Sequence, residues 1–218
     1  MNEMISWPWA ALFLLGAYHG INPGMGWLFA VALGMQEKSS RAVWRALVPI
    51  SVGHALAIGV MVALAGLVQA VLPLRSVKMG VAVILFAFGF YHLLRHRHPR
   101  FGGMQVGFGD LIIWSFLMAS AHGAGLMVLP VLFGMGGGDS IAGSSVSMHH
   151  VHLAAVGGSA TNLSAVLVHT LGYLAVTGLV AWVVYEKLGL APLRKAWLNL
   201  DLIWAVALVV TSSFVLVI

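Results

Sequence analysis

Residues 81–91 read VAVILFAFGFY, and residues 202–218 read LIWAVALVVTSSFVLVI. Neither run alternates apolar and polar residues as the strands of a membrane barrel do, so both favour helices. A helix also satisfies its own backbone hydrogen bonds, which lipid cannot do. About 20 apolar residues of helix cross the ~30 Å of hydrocarbon in a bilayer. The two runs therefore predict membrane-spanning helices.

The composition of the 218-residue chain points to the same class. Hydrophobic residues make up 61% of the chain and charged residues 8%, with a mean hydropathy of +0.98. A soluble domain carries about a quarter charged residues, so a soluble globule is excluded. The net charge of +5 lies mostly in short loops, where it sets topology and does not indicate nucleic acid. Because the chain has no cysteine, thiolate metal sites and dithiol redox chemistry are excluded.

Six apolar segments predict an all-α polytopic membrane protein. The predicted spans are 8–34, 46–71, 79–94, 107–135, 160–185 and 198–218.

Basic residues predict the orientation, because loops rich in Lys and Arg stay in the cytoplasm. The side with Arg75 and Lys78 is predicted to be external. The opposite side holds Lys38, Arg41, Arg45, Arg95, Arg97, Arg100, Lys187, Arg194 and Lys195. Both termini are therefore predicted outside the cell (inner) membrane, together with a Gly/Ser-rich loop at 136–158.

Two short motifs occur in both halves of the chain. Residues 17–20 (AYHG) are echoed by residues 120–123 (SAHG), and residues 54–56 (HAL) by residues 169–171 (HTL). Each half then contains three spans, and an odd number makes the two copies run in opposite directions through the membrane. The pattern predicts a 3+3 inverted repeat. Its units are 1–101 and 102–218, the second containing the external loop.

Each half is also predicted to begin with a broken helix. Residues 20–26 (GINPGMG) hold three glycines and a proline, and Pro23 lacks the amide that a continuing helix needs. Gly123, Gly125 and Pro130 interrupt the fourth helix in a milder way. Carbonyl groups freed at this depth are tolerated only against protein or a hydrated cavity, and they are good cation ligands.

Four histidines lie near the middle of their predicted spans, where an ionisable residue indicates function. Asn22 shares a helix face with one of them and Asn162 with another, at spacings of three and seven residues. Imidazoles with carbonyl or amide oxygens suit nickel, cobalt, zinc, copper or iron, while Met25 or Met127 favours Cu(I). We therefore predict one midplane metal site, formed by His19, His54, His122, His169, Asn22 and Met25.

Other polar residues are given secondary roles. The external loop contains Met148, His149, His150 and His152, which are predicted to capture metal ions without forming the central site. The basic end of the third span contains His92, His96 and His98, which are predicted to face lipid headgroups. Asp110 and Asp201 are predicted to stabilise the amino ends of their helices.

These motifs resemble a known transporter group. Residues 19–24 (HGINPG), the Gly53-His54 pair and the His-rich segment 92–98 before Pro99 are similar to those of the nickel/cobalt exporter (NicO) and urease/hydrogenase accessory transporter group of the LysE superfamily. The resemblance covers most of the chain as a six-span layout and implies metal transport. In that group a second His or an Asp usually follows the Pro-Gly pair, where this chain has Met25.

The sequence thus favours a secondary transporter of a transition-metal cation and not an enzyme, since no nucleotide-binding motif is present. A different class stays open, namely a membrane redox protein or enzyme whose histidines hold haem or a fixed metal centre. An accessory subunit and a homo-oligomer also stay open.

Overall fold

The computed structural model describes residues 2–94, 107–136, 158–188 and 200–217. These residues contain no β-strand, so the all-α prediction is confirmed. A 3-10 turn at Pro23–Met25 separates the first two helices, and a π-helical turn at Val184–Leu188 extends the seventh. The helices are α1 (Asn2–Ile21), α2 (Trp27–Glu37), α3 (Ser40–Val71), α4 (Leu74–Leu94), α5 (Phe108–Ala121), α6 (Ala124–Gly136), α7 (Ser159–Val183) and α8 (Leu200–Val217).

Among the described residues, three stretches of helix are long and apolar enough to cross a membrane: Ser40–Val71, Leu74–Tyr91 and Ser159–Lys187. The bent pair of α5 and α6 makes a fourth if it counts as one span. The chain therefore has the character of a helical membrane protein. The spans predicted at 8–34 and 198–218 stay predictions.

Two helices begin earlier than predicted. Helix α3 begins at Ser40 and α4 at Leu74, whereas the apolar runs begin at 46 and 79. The carbonyl of Pro73 accepts hydrogen bonds from the amides of Ser76 and Val77, at 2.9 and 3.2 Å, and so starts the first turn of α4. Helix α4 therefore has 21 residues and is not the short span that hydropathy suggested.

The first predicted helix break is present between α1 and α2. The side-chain oxygen of Asn22 accepts a hydrogen bond from the Gly24 amide at 2.9 Å and caps the 3-10 turn. Gly26 then adopts a φ of +134°, a value that favours glycine. Pro23 opens this turn instead of interrupting a continuous helix, because α1 has already ended at Ile21.

The second break separates α5 from α6, whose axes differ in direction by 60°. Gly123 has a φ of +69°, and its amide donates to the Ser120 carbonyl at 3.1 Å. Pro130 lies inside α6, so it does not form the break. The first break therefore begins within three residues of His19, and the second includes Gly123, which directly follows His122.

The helices that carry the buried histidines pack closely. Helix α1 lies along α7, α3 lies along α5, and α4 lies along α8. Gly16 faces the backbone of α7, Gly172 faces the backbone of α1, and Gly53 faces the backbone of α5. Small residues at such crossings allow two helix backbones to touch. These contacts set the relative depth of the histidines in the core.

Candidate metal-binding site

Three of the four predicted histidines lie together in the centre of the core. His19 comes from α1, His54 from α3 and His169 from α7, and each side chain is 0% exposed. The ring centroids of His19 and His169 are 5.0 Å apart, those of His54 and His169 5.5 Å, and those of His19 and His54 5.8 Å. The structure thus brings these three imidazoles into one histidine cluster.

The fourth histidine, His122, ends α5 at the second break and is 7% exposed. Its Nδ1 lies 2.8 Å from the Met118 carbonyl, one turn earlier in the same helix. His19 makes the same type of contact with the Leu15 carbonyl, at 2.7 Å. The two histidines beside the breaks are therefore held in the same local way.

His54 has an unusual environment for a polar side chain. Its Nδ1 and Nε2 are both buried, and neither has a hydrogen-bond partner. Neither ring nitrogen of His169 makes a hydrogen bond of normal geometry, although the Leu12 carbonyl lies beside this ring. A buried polar group without a partner costs roughly 1–3 kcal/mol. Imidazoles kept in an apolar core at this cost suggest a polar ligand.

Tyr173 belongs to the site, although it was not among the predicted residues. Its ring stacks on His54 with centroids 3.9 Å apart and planes 8° apart. Its hydroxyl donates a hydrogen bond to the carbonyl of Met25 in the first break. It also lies one turn after His169 on α7, on the same helix face. That spacing was the one signal in the sequence that pointed to it.

Asn22 and Met25 both lie in the turn that follows His19. The Asn22 oxygen is engaged by the Gly24 amide, while its buried Nδ2 has no hydrogen-bond partner. Met25 is 1% exposed. Asn162 lies seven residues before His169, about 10 Å along the axis of α7, so it lies apart from the cluster.

The spacing of the three rings fits a shared ion, whereas their orientation does not. Three imidazoles with nitrogens ~2.0–2.1 Å from one tetrahedral ion place their ring centroids about 5 Å apart. The observed 5.0–5.8 Å agrees with this spacing. Within the four described ranges, however, no three His, Asp or Glu side chains already have a geometry that could hold a metal. Ion binding would therefore require the rings to rotate.

The structure describes only some of the residues that were given secondary roles. Asp110 accepts a hydrogen bond from the Gly107 amide at 2.9 Å, which confirms its role at the start of α5. Asp201 lies in the first turn of α8. His92 lies in α4, with its side chain outside the described residues. Also outside them are His96, His98, Met148, His149, His150 and His152, with most of the 136–158 loop.

Comparisons with known proteins do not assign the chain to a family. No protein-family model, no curated protein and no solved structure matches it. The resemblance described above therefore rests on the quoted motifs, and function must be argued from the site.

Proposed function

We propose that the chain is a membrane transporter for a transition-metal cation, which it binds between α1, α3 and α7. The observation that carries this proposal is the histidine cluster, in which three fully buried imidazoles from three helices have ring centroids 5.0–5.8 Å apart. Imidazole is a common ligand of zinc, copper, iron and nickel. A helix break beside His19 adds the unwound backbone that transporters use at ion sites.

An inverted repeat is part of the proposal, with α1–α4 as one unit and α5–α8 as the other. In each unit a histidine with a ring contact to the carbonyl four residues earlier stands at a helix break. The packing is also reciprocal: α1 pairs with α7 and α5 with α3, while α4 pairs with its counterpart α8. Reciprocal pairs of this kind are what a two-fold axis between the units would produce.

The orientation of the transporter follows from the distribution of charge. Both termini and the 136–158 loop face outside in the proposal, since nine of the eleven basic residues lie on the other side. The loop histidines would then meet the ion first. Energy would come from an ion gradient or a partner, because no nucleotide-binding motif is present.

Haem ligation is the weaker alternative. A haem needs axial ligands on opposite sides of a flat macrocycle. The three clustered rings contact one another, and the ring of Tyr173 covers one face of His54. This arrangement favours a small ion over a macrocycle. A Soret band in the purified protein would reverse that preference.

Transport by reconstituted protein tests the proposal. Proteoliposomes would be given a panel of copper, silver, zinc, cobalt, nickel and iron(II) ions, and uptake would be measured by mass spectrometry. We expect saturable uptake of at least one ion, reduced tenfold or more by His54→Ala and His169→Ala. His92→Ala is the matched control and should preserve uptake. No uptake of any ion by the wild-type protein, or wild-type uptake by both His54→Ala and His169→Ala, would contradict the proposal.

A further inference from the structure

We propose that the cargo is a soft univalent metal cation, of the Cu(I) and Ag(I) class, and not a divalent one. This inference rests on the proposed function and adds the charge and softness of the ion. It follows from the absence of carboxylates in the described core and from thioethers beside the first break.

The core around the histidine cluster has no negative side chain among the described residues. Its buried polar residues are His19, Asn22, His54, Ser115, His122, His169, Thr170, Thr177 and Ser212. The acidic residues with described side chains, Glu37, Asp110 and Glu186, are all exposed. Glu37 also pairs with Arg45 at 2.9 Å. These exposed carboxylates therefore lie at the surface and not in the buried cluster.

The remaining acidic residues are Glu3, Asp139 and Asp201. Glu3 is sixteen residues before His19 in α1, about 24 Å along its axis. Asp201 lies in the first turn of α8, whose main neighbour is α4 and not a helix of the cluster. Asp139 lies outside the described residues.

The cost of desolvating an ion depends strongly on its charge. The cost of moving an ion from water into a medium of low dielectric rises with the square of its charge, so a divalent ion pays about four times as much as a univalent one. Each helix break offers one carboxyl end and one amino end, with partial charges of about −0.5 and +0.5 that offset each other. Among the described residues, no fixed negative charge therefore compensates a second positive charge on the ion.

Two thioether side chains lie at the first break. Met25 is 1% exposed within the 3-10 turn. The terminal methyl group of Met118 lies 3.2 Å from where a Cβ on Gly24 would be, so this thioether also reaches the break. Thioether and imidazole ligands without carboxylates favour Cu(I). Cu(I) and Ag(I) also accept two or three ligands, which suits a cluster that lacks a closed four-ligand shell.

Competition binding on the purified full-length chain tests this inference. Ag(I), as a redox-inert probe, and Cu(I) under anaerobic conditions would be compared with Zn(II), Co(II) and Ni(II) by displacement from chromogenic chelators. We expect one univalent ion per chain, bound about a hundredfold more tightly than any of the divalent ions. His54→Ala should abolish that binding.

Asn22→Asp supplies a second, internal test. Aspartate keeps the oxygen that caps Gly24 and adds the missing charge near the site. A carboxylate attracts a divalent ion twice as strongly as a univalent one, so the ratio of divalent to univalent affinity should rise tenfold or more. Asn22→Ser, which keeps a neutral cap, should leave the ratio unchanged.

The outcomes separate this inference from the proposed function. If Zn(II), Co(II) or Ni(II) binds as tightly as Ag(I), and His54→Ala abolishes that binding, the charge inference is wrong and the transporter stands. If no ion binds the wild-type protein, both are overturned. The wild-type comparison decides the matter even if Asn22→Asp does not fold.

Discussion

Gly16→Ala is expected to disturb the histidine cluster without touching any histidine. Gly16 lies in α1 where that helix crosses α7. A Cβ at this position would lie 1.9 Å from the carbonyl oxygen of His169, 2.9 Å from its carbonyl carbon and 3.0 Å from the Tyr173 amide nitrogen. These obstacles are backbone atoms, so no side-chain rotation relieves the contact.

The size of the effect follows from these distances. The shortest contact falls about 1.5 Å below the 3.4 Å at which ordinary contact begins, so α1 and α7 must separate by an amount of that order. The rings of His19 and His169, now 5.0 Å apart, would move with their helices. Metal–ligand distances tolerate only about 0.2 Å, so metal affinity should fall tenfold or more. Overpacking of this kind also costs about 1–3 kcal/mol of stability.

Metal affinity and thermal unfolding of the detergent-purified protein measure both effects. Gly59→Ala and Gly80→Ala are matched controls, because a Cβ at either position meets nothing within 4 Å. Gly59 is also five residues from His54 on α3. We expect both controls to behave as wild type. A Gly16→Ala protein with wild-type affinity and melting temperature would refute the close α1–α7 packing and its link to the site.

Three further predictions address other parts of the molecule. Tyr173→Phe keeps the ring on His54 but removes the hydroxyl that donates to the buried Met25 carbonyl. The free energy of unfolding should therefore fall by about 1–3 kcal/mol. An unchanged free energy of unfolding would show that this hydrogen bond does not stabilise the protein. Changing His149, His150 and His152 of the 136–158 loop together to alanine should weaken the apparent affinity for the ion and preserve maximal flux, whereas complete loss of transport would place them in the central site. Reporter fusions after Ile218 should be active outside the cytoplasm, and activity only inside would contradict the orientation.

Features with a local physical cause could be predicted from the sequence. The helices follow from the apolar runs, because a backbone in lipid must form its hydrogen bonds internally. The breaks follow from Pro23 and from the glycines near it and at Gly123, because these residues cannot continue a helix without cost. The four histidines stand out since buried polar side chains are expensive. Each of these inferences needs only a few neighbouring residues.

Features that depend on distant contacts could not be predicted. Tyr173 is an ordinary aromatic residue in an apolar helix, and its value comes from a hydrogen bond to a residue 148 positions away. Likewise, the orientation of the His54 ring depends on the approach of α7 to α3. The early start of α4 depends on the carbonyl of Pro73, whereas hydropathy was dominated by the charges of Arg75 and Lys78. Hydrophobicity alone therefore places the first residue of such a helix too late in the sequence.

X-ray absorption spectroscopy of the metal-loaded protein tests the central claim most directly. Protein loaded with Cu(I) should give a first shell of two or three ligands and the outer-shell scattering of imidazole rings. His54→Ala and His169→Ala should each bind too little copper to give that signal, while His92→Ala should give it in full. A shell without imidazole scattering, or a spectrum that both cluster variants leave unchanged, would contradict binding by His19, His54 and His169.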